Sequence, residues 1–318
     1  MIAYGPVPSR RLGRSLGINN IPPKICTYSC VYCQLGRTIK MQAERQVFYE
    51  PEDVQRAVQE KVARVRASGE AIDYLSFVPD GEPTLDINLG REIELLRPLG
   101  IKIAVITNAS LVSREDVRAE LAKADWVSLK TDAVSEDIWH RVNRPHKALR
   151  LAAIQEGMLE FAASYTGKLM TETMLVTGLN DGEDHLRDLA EFLIQLNPDV
   201  AYLAIPTRPP AEVWAQPPDE HVINRAYQVL SEALEHVEYL IGYEGNAFAF
   251  TGDVEEDLLS ITAVHPMRED AVEEFLGKAQ ADWSAVRELV AQDLLVETEY
   301  GAHRFYLRKL NKHGEERG

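Results

Sequence analysis

Cys26-Thr27-Tyr28-Ser29-Cys30-Val31-Tyr32-Cys33 holds all three cysteines of a 318-residue chain. None is left over for a disulfide or for a second thiolate site. Thiolate is the ligand that iron–sulfur clusters use, and a [4Fe–4S] cluster has four irons to satisfy. Three thiolates leave one iron open to another ligand, as catalytic metal sites keep an open position. A structural zinc site and three unrelated core cysteines are the alternatives. Zinc needs a fourth ligand, and the next His after the stretch, His140, lies more than a hundred residues on.

Working outward, residues 4–20 carry two prolines and three glycines, so their first part reads as a shaped loop. Residues 15–20 read as a short strand, stopped at Pro22-Pro23. The cysteines therefore sit in the loop after a strand. A long polar helix is expected from Pro51, a good first-turn residue, to Ala67. The chain then alternates. Strands are expected at 72–78, 101–107, 126–130, 169–176 and 201–205, and helices at 86–97, 113–123, 147–163, 183–195 and 218–236. Ser113 is the expected cap of the 113–123 helix, with Asp116 at the capping-box position. A short apolar segment, 239–243, follows the last of these helices.

Six strand–helix units in sequence imply a parallel sheet with helices outside it. Functional residues of such folds gather in loops at the C-terminal ends of the strands. The cysteines, Asp80-Gly81-Glu82, Thr107-Asn108, Lys130-Thr131-Asp132 and Pro206-Thr207-Arg208 all fall there. Five such loops converging on one rim describe a site. From residue 253 the alternation stops: helices are expected at 255–264, 269–279 and 283–292, then a hairpin over 294–310. This is a winged-helix pattern. Its third helix carries one Arg and one Glu, whereas a DNA-reading helix needs several Arg, Lys, Asn or Gln.

Net charge is −16. Residues 1–50 nonetheless carry seven basic and two acidic side chains, and residues 219–318 nine basic and twenty-one acidic. The overall field opposes nucleic-acid binding, while the basic N-terminal loop could hold one anionic group. No run approaches the roughly 18 apolar residues of a membrane span. The N-terminus lacks signal-peptide regions, so a reducing, cytoplasmic location is expected.

The Cys26, Cys30, Tyr32, Cys33 spacing is a C-x3-C-x-aromatic-C signature, and residues 14–245 resemble the radical S-adenosylmethionine (radical SAM) superfamily. The opening Gly5-Pro6-Val7-Pro8-Ser9-Arg10-Arg11-Leu12-Gly13 is similar to iron–sulfur oxidoreductases grouped near the wyosine-forming tRNA enzymes. The resemblance implies that the three cysteines hold a [4Fe–4S] cluster whose fourth iron chelates S-adenosylmethionine. Tyr32 would lie against the adenine. Gly81-Glu82 is similar to the family's G-G-E element, which receives the methionine ammonium, with Asp80 in place of the first Gly. Asn108 and Asp132 stand where the family contacts methionine or ribose, and Arg144 and Glu172 are further candidates.

The architecture expected is α/β: a partial (β/α)6 TIM-like barrel over 1–245, a winged-helix-like domain over 253–310 and a flexible tail over 311–318. A small reductant protein of the flavodoxin or ferredoxin type is the implied partner. No further cysteine exists for an auxiliary cluster, so one cluster is expected. A tRNA base, a peptide side chain and a small metabolite all remain open as substrates. A non-catalytic electron carrier or redox sensor is the competing class. Arg208-Pro209-Pro210 reads either as a carboxylate or phosphate clamp or as a stiff turn. Trp126 and Trp139 read as core.

Overall fold

The computed structural model describes residues 1–242 and 245–309. The tail expected over 311–318 lies outside the described residues. The chain runs β1 (Ala3–Ser9), β2 (Gly13–Ile18), the two-residue β3 (Ile25–Cys26) and β4 (Lys40–Met41), then α1 (Pro51–Ala67) and β5 (Tyr74–Phe77). It continues through α2 (Leu89–Leu96), β6 (Lys102–Thr107), α3 (Glu115–Leu121), β7 (Trp126–Lys130), α4 (Glu136–Val142) and α5 (Leu151–Ser164). Next come β8 (Lys168–Met174), α6 (Glu183–Leu196), β9 (Val200–Ala204), α7 (Glu220–Ala233) and β10 (Val237–Leu240). The last segment comprises α8 (Val254–Thr262), β11 (Met267–Arg268), α9 (Glu269–Ala279), α10 (Trp283–Ala291), β12 (Leu295–Tyr300) and β13 (His303–Arg308).

Eight strands form one sheet in the order β1-β2-β5-β6-β7-β8-β9-β10. β1 is antiparallel to β2, and every later neighbour is parallel. Laid flat, eight strands would span about 34 Å. One cavity of about 340 Å³ nevertheless touches residues of all eight, from Tyr4 on β1 to Leu240 on β10. The sheet must therefore curl around it, an open half-barrel with β1 and β10 as its edges. Period-2 alternation sorts the side chains. Leu75, Val105, Val127, Leu129, Leu169 and Leu203 point outward into the main core beneath the helices, and Ala104, Trp126, Met170 and Tyr202 form a smaller cluster on the inner face. Burying each outward Leu or Val contributes roughly 1.5–3 kcal/mol.

Three expectations are corrected. Residues 3–9 are an edge strand, not a loop: Pro6 and Pro8 need no ladder donor there, since an edge strand pairs on one side only. Ser113 does not cap the third helix. α3 starts at Glu115 with Arg114 in the cap position, and Asp116 turns its carboxylate to Arg114 and Arg45. The unanticipated α4 follows β7, and the apolar segment expected to begin at 239 overlaps the end of β10, Val237–Leu240, a seventh parallel strand in the sheet.

Beyond the barrel, α8, α9 and α10 share a core with Tyr4 and Val7 of β1, so the C-terminal unit covers the antiparallel edge. β11, β13 and β12 form its three-stranded sheet. No helix among the described residues is long and apolar enough to cross a membrane.

Candidate active site

The cysteine loop is strapped on two sides by rim loops. Val31 N donates to Val142 O at 2.9 Å, Ser29 N to Asn143 O at 3.0 Å, and Thr27 O accepts from His146 N at 2.8 Å. On the other side Lys24 N donates to Asp80 O at 2.7 Å and Glu82 N to Ile25 O at 3.2 Å. Inside, Trp139 Nε1 donates to Tyr28 Oη at 3.1 Å, which confirms Trp139 as core. Loop conformation is thus dictated by the C-terminal end of α4 on one side and the turn after β5 on the other.

All three thiols are free, partly exposed, and line the one cavity. Asn108 Nδ2 lies 3.5 Å from Cys26 Sγ and Asn143 Nδ2 3.5 Å from Cys30 Sγ, so amide donors already face two of the sulfurs. Burial raises the Cys26 thiol well above its ordinary value, pushes Cys30 up to about 12, and raises Cys33 against the lowering effect of Lys24. Bound cations supply the charge that converts such thiols to thiolates. Among the described residues no three Cys, His or carboxylate groups could hold a single metal ion. Three thiols around an open cavity fit a group larger than one ion, and that is the donor set of a [4Fe–4S] cluster.

Gly81 and Glu82 meet the cysteines directly. Gly81 pairs with Ile25 in an isolated parallel bridge. A Cβ at Gly81 would stand 2.0 Å from the Ile25 carbonyl oxygen, and its φ of +156° is one that L residues rarely adopt. Replacing Gly81 with Ala is therefore expected to cost at least about 2 kcal/mol, as overpacking against backbone does, and to displace Cys26. Urea unfolding together with iron uptake would check this, and wild-type values for both would refute it. Glu82 is 1% exposed. Its Oε1 accepts from Thr84 N at 3.1 Å, Thr84 Oγ1 at 2.6 Å and Thr107 Oγ1 at 2.6 Å, and its Oε2 from Asn108 N at 2.8 Å. Burial raises its pKa while these four donors oppose the rise. The carboxylate ties the ends of β5 and β6 together beneath Cys26, and Asn108 Nδ2 also donates to Thr27 Oγ1 at 2.8 Å.

Tyr32 lines the cavity, with the Lys130 ammonium 5.0 Å from its ring centroid. Its hydroxyl donates to Asp132, whose carboxylate also accepts from Asn143 Nδ2 at 2.7 Å and Met174 N at 2.8 Å. Asp132 does not line the large cavity; it borders a smaller one behind it and anchors Tyr32. Glu172 does line the large cavity, held by Arg11 and by Lys130 at 2.5 Å. Burial alone would raise its pKa, but Arg11 and Lys130 outweigh it and hold the carboxyl down at about 2. Arg144 stands outside the cavity. It pairs with Glu212 at 2.5 Å, which Arg37 also clamps at 2.9 Å through both nitrogens.

Arg208 does not form a stiff solvated turn. Its Nη1 donates to Gln34 Oε1 at 2.7 Å and its Nη2 lies 2.9 Å from His265 Nε2. Gln34 Nε2 in turn donates to Val264 O at 3.2 Å. The residue after the last cysteine thus joins the cysteine loop to the C-terminal unit, and His265 reaches the cavity wall. Sequence reasoning missed Lys24, Gln34, Lys130 as a Tyr32 partner, Asn143 as a sulfur donor, and His265. Adjacency to Cys33 was the only available signal for Gln34, and for Asn143 its place beside the candidate Arg144.

Residues 20–193 match the family model described as the Radical SAM superfamily. The chain belongs to the radical SAM superfamily. It is 48% identical to the UPF0026 protein of Methanocaldococcus jannaschii over 97% of this chain and 96% of that protein. A UPF0026 protein of Synechocystis sp. is 36% identical over 65% of this chain and 76% of its own length. Among solved structures, TYW1 with a bound lysine-pyruvate adduct superposes with a TM-score of 0.53 at 17% identity, covering 70% of this chain and 74% of that one. Streptococcus suis SuiB bound to S-adenosylmethionine gives 0.52 at 15% identity, covering 70% and 49%. These likenesses establish the shared α/β half-barrel. An iron–sulfur cluster and S-adenosylmethionine are typical of the superfamily.

Proposed function

We propose that this chain is a single-cluster radical SAM enzyme. Cys26, Cys30 and Cys33 would hold a [4Fe–4S] cluster, and S-adenosylmethionine would occupy the cavity beside them. When bound, these cofactors would supply the hard chemistry, one-electron cleavage of the sulfonium and hydrogen abstraction from a substrate. The protein's residues position and shield. Tyr32 offers an aromatic face held by Asp132, Gly81 permits close backbone approach, and Asn108 and Asn143 hydrogen-bond the sulfurs. The observation that carries the reading is the convergence of all three thiols with the Gly81-Glu82 turn on one cavity. An electron carrier would need no such turn, nor a cavity of about 340 Å³ beside its sulfurs. The donor of the electron is a flavodoxin- or ferredoxin-type protein. The C-terminal unit is a winged-helix-like domain that serves as cavity wall, through Val264 and His265, rather than as a nucleic-acid reader.

Anaerobic reconstitution with iron and sulfide, followed by dithionite and S-adenosylmethionine, should yield 5′-deoxyadenosine and methionine. If neither forms while the cluster is fully loaded, the proposal fails.

A further inference from the structure

Lys24 lies two residues before the first cysteine and is 7% exposed. Its backbone is locked from both sides. Lys24 N donates to Asp80 O at 2.7 Å, and Lys24 O accepts from Ile39 N at 3.1 Å and Lys40 N at 3.0 Å. It holds φ at +63°, a left-handed conformation uncommon for a residue with a Cβ. Such conformations persist where the surroundings over-determine them, and they often mark functional positions.

The side chain is unusual in the same way. Burying an ammonium costs several kcal/mol unless it is well paired and hydrogen-bonded. The Lys24 ammonium has a single ionic partner, Asp80, at 3.3 Å, and no hydrogen-bond acceptor among the described residues. Asp80 is equally buried, and its Oδ2 finds no donor. The ammonium lines the cavity together with Cys33 and Gly36. It stands 3.9 Å from where a Gly36 Cβ would be, over the turn closed by Gly36 N donating to Cys33 O at 3.0 Å. The ammonium is thus buried beside the turn that carries the last cysteine, with donor capacity that the ion pair with Asp80 leaves unfilled.

We infer that Lys24 tunes the cluster: its ammonium donates to the sulfur at Cys33, or to the sulfide beside it, and favours the reduced state. This rests on the cluster reading above. A [4Fe–4S]2+ core with three thiolates carries a charge of −1, and accepting one electron from the reductant makes it −2. A fixed buried cation gains more Coulomb energy from the second state than from the first. Hydrogen bonds to cluster sulfurs and local charge set such potentials. Asp80 restrains the ammonium and partly offsets its field. Lys24 is thus a positioning and tuning residue, not a ligand.

The test is a dithionite titration of the reconstituted full chain, followed by electron paramagnetic resonance, with iron and sulfide measured on the same samples. Lys24→Met should keep the cluster stoichiometry and make reduction at least tenfold less favourable, which for one electron is about 59 mV lower. Lys24→Arg should restore most of that loss. The double variant Lys24→Met/Asp80→Asn covers the case in which the single variant is destabilised by an unpaired Asp80. Its potential should also fall below wild type, by less. An unmoved potential in a fully loaded Lys24→Met or double variant overturns the inference. Loss of the cluster itself from a folded Lys24→Met chain also overturns it, because tuning and not holding is claimed. A wild-type chain that takes up no cluster is a different result, one that removes the parent reading as well.

Discussion

Replacing Cys26, Cys30 or Cys33 singly with alanine is expected to bring bound iron and sulfide to background and to cut 5′-deoxyadenosine formation by more than about a hundredfold. The chain has three cysteines in all, so no fourth thiol can stand in for a lost one. The fold should survive. Each cysteine is only partly buried, and the loop is held by backbone bonds to residues 142–146 and 80–82 rather than by its sulfurs. Replacing the donors behind the sulfurs, Asn108 or Asn143, should cost less, on the order of tenfold, because the ligands themselves remain. Iron and sulfide assays, product chromatography and urea unfolding separate these outcomes. Full cluster content and product in any of the three cysteine variants would remove that thiol from the ligand set.

The parallel strands were legible because burial on both faces leaves runs such as Ile103-Ala104-Val105-Ile106, which composition alone marks. The rim followed from them: once the strand ends are placed, Glu82, Asn108 and the cysteines have to meet. What the sequence hid is pairing across distance. Asp132 sits at a strand end as expected, yet its carboxylate is occupied by Tyr32, Asn143 and the Met174 amide. Nothing local distinguishes a carboxylate that anchors a tyrosine from one that contacts a ligand. Arg144 was a candidate by resemblance and is drawn instead to Glu212, 68 residues on. β1 was hidden for another reason. Pro6 and Pro8 signal a loop in any central strand, and only the tertiary position at an edge makes them harmless. His265 could not be assigned to the site before the C-terminal unit was seen to pack on that edge.

That packing turns on a second long-range pair, and it gives the largest expected stability effect. Lys61 of α1 falls within the stripe Val58, Val62, Val65, in a helix that the sequence presents only as long and polar. It is instead 1% exposed. Its ammonium donates to Asp257 Oδ1 of α8 at 2.8 Å and to Thr251 Oγ1 at 2.9 Å. Thr251 completes the group: its amide donates to Asp257 Oδ2 at 2.6 Å and its hydroxyl to Oδ1 at 2.7 Å. Removing one member leaves the other charge buried and unpaired. Lys61→Ala is therefore expected to destabilise the full chain by about 3–5 kcal/mol. The apolar pair Lys61→Met/Asp257→Leu should recover most of that loss, since a well-packed apolar replacement of a buried ion pair is often neutral or stabilising. Arg64 and Glu256 form a neighbouring, partly exposed pair at 3.0 Å, and Arg64→Ala should change stability little. Urea unfolding of the four chains checks the order. If Lys61→Ala unfolds at the same midpoint as Arg64→Ala, the buried pair is not what fastens the C-terminal unit to α1. If the order holds, the loss should reach the site too, because α8 leads directly into Val264 and His265, which Gln34 and Arg208 grip beside Cys33.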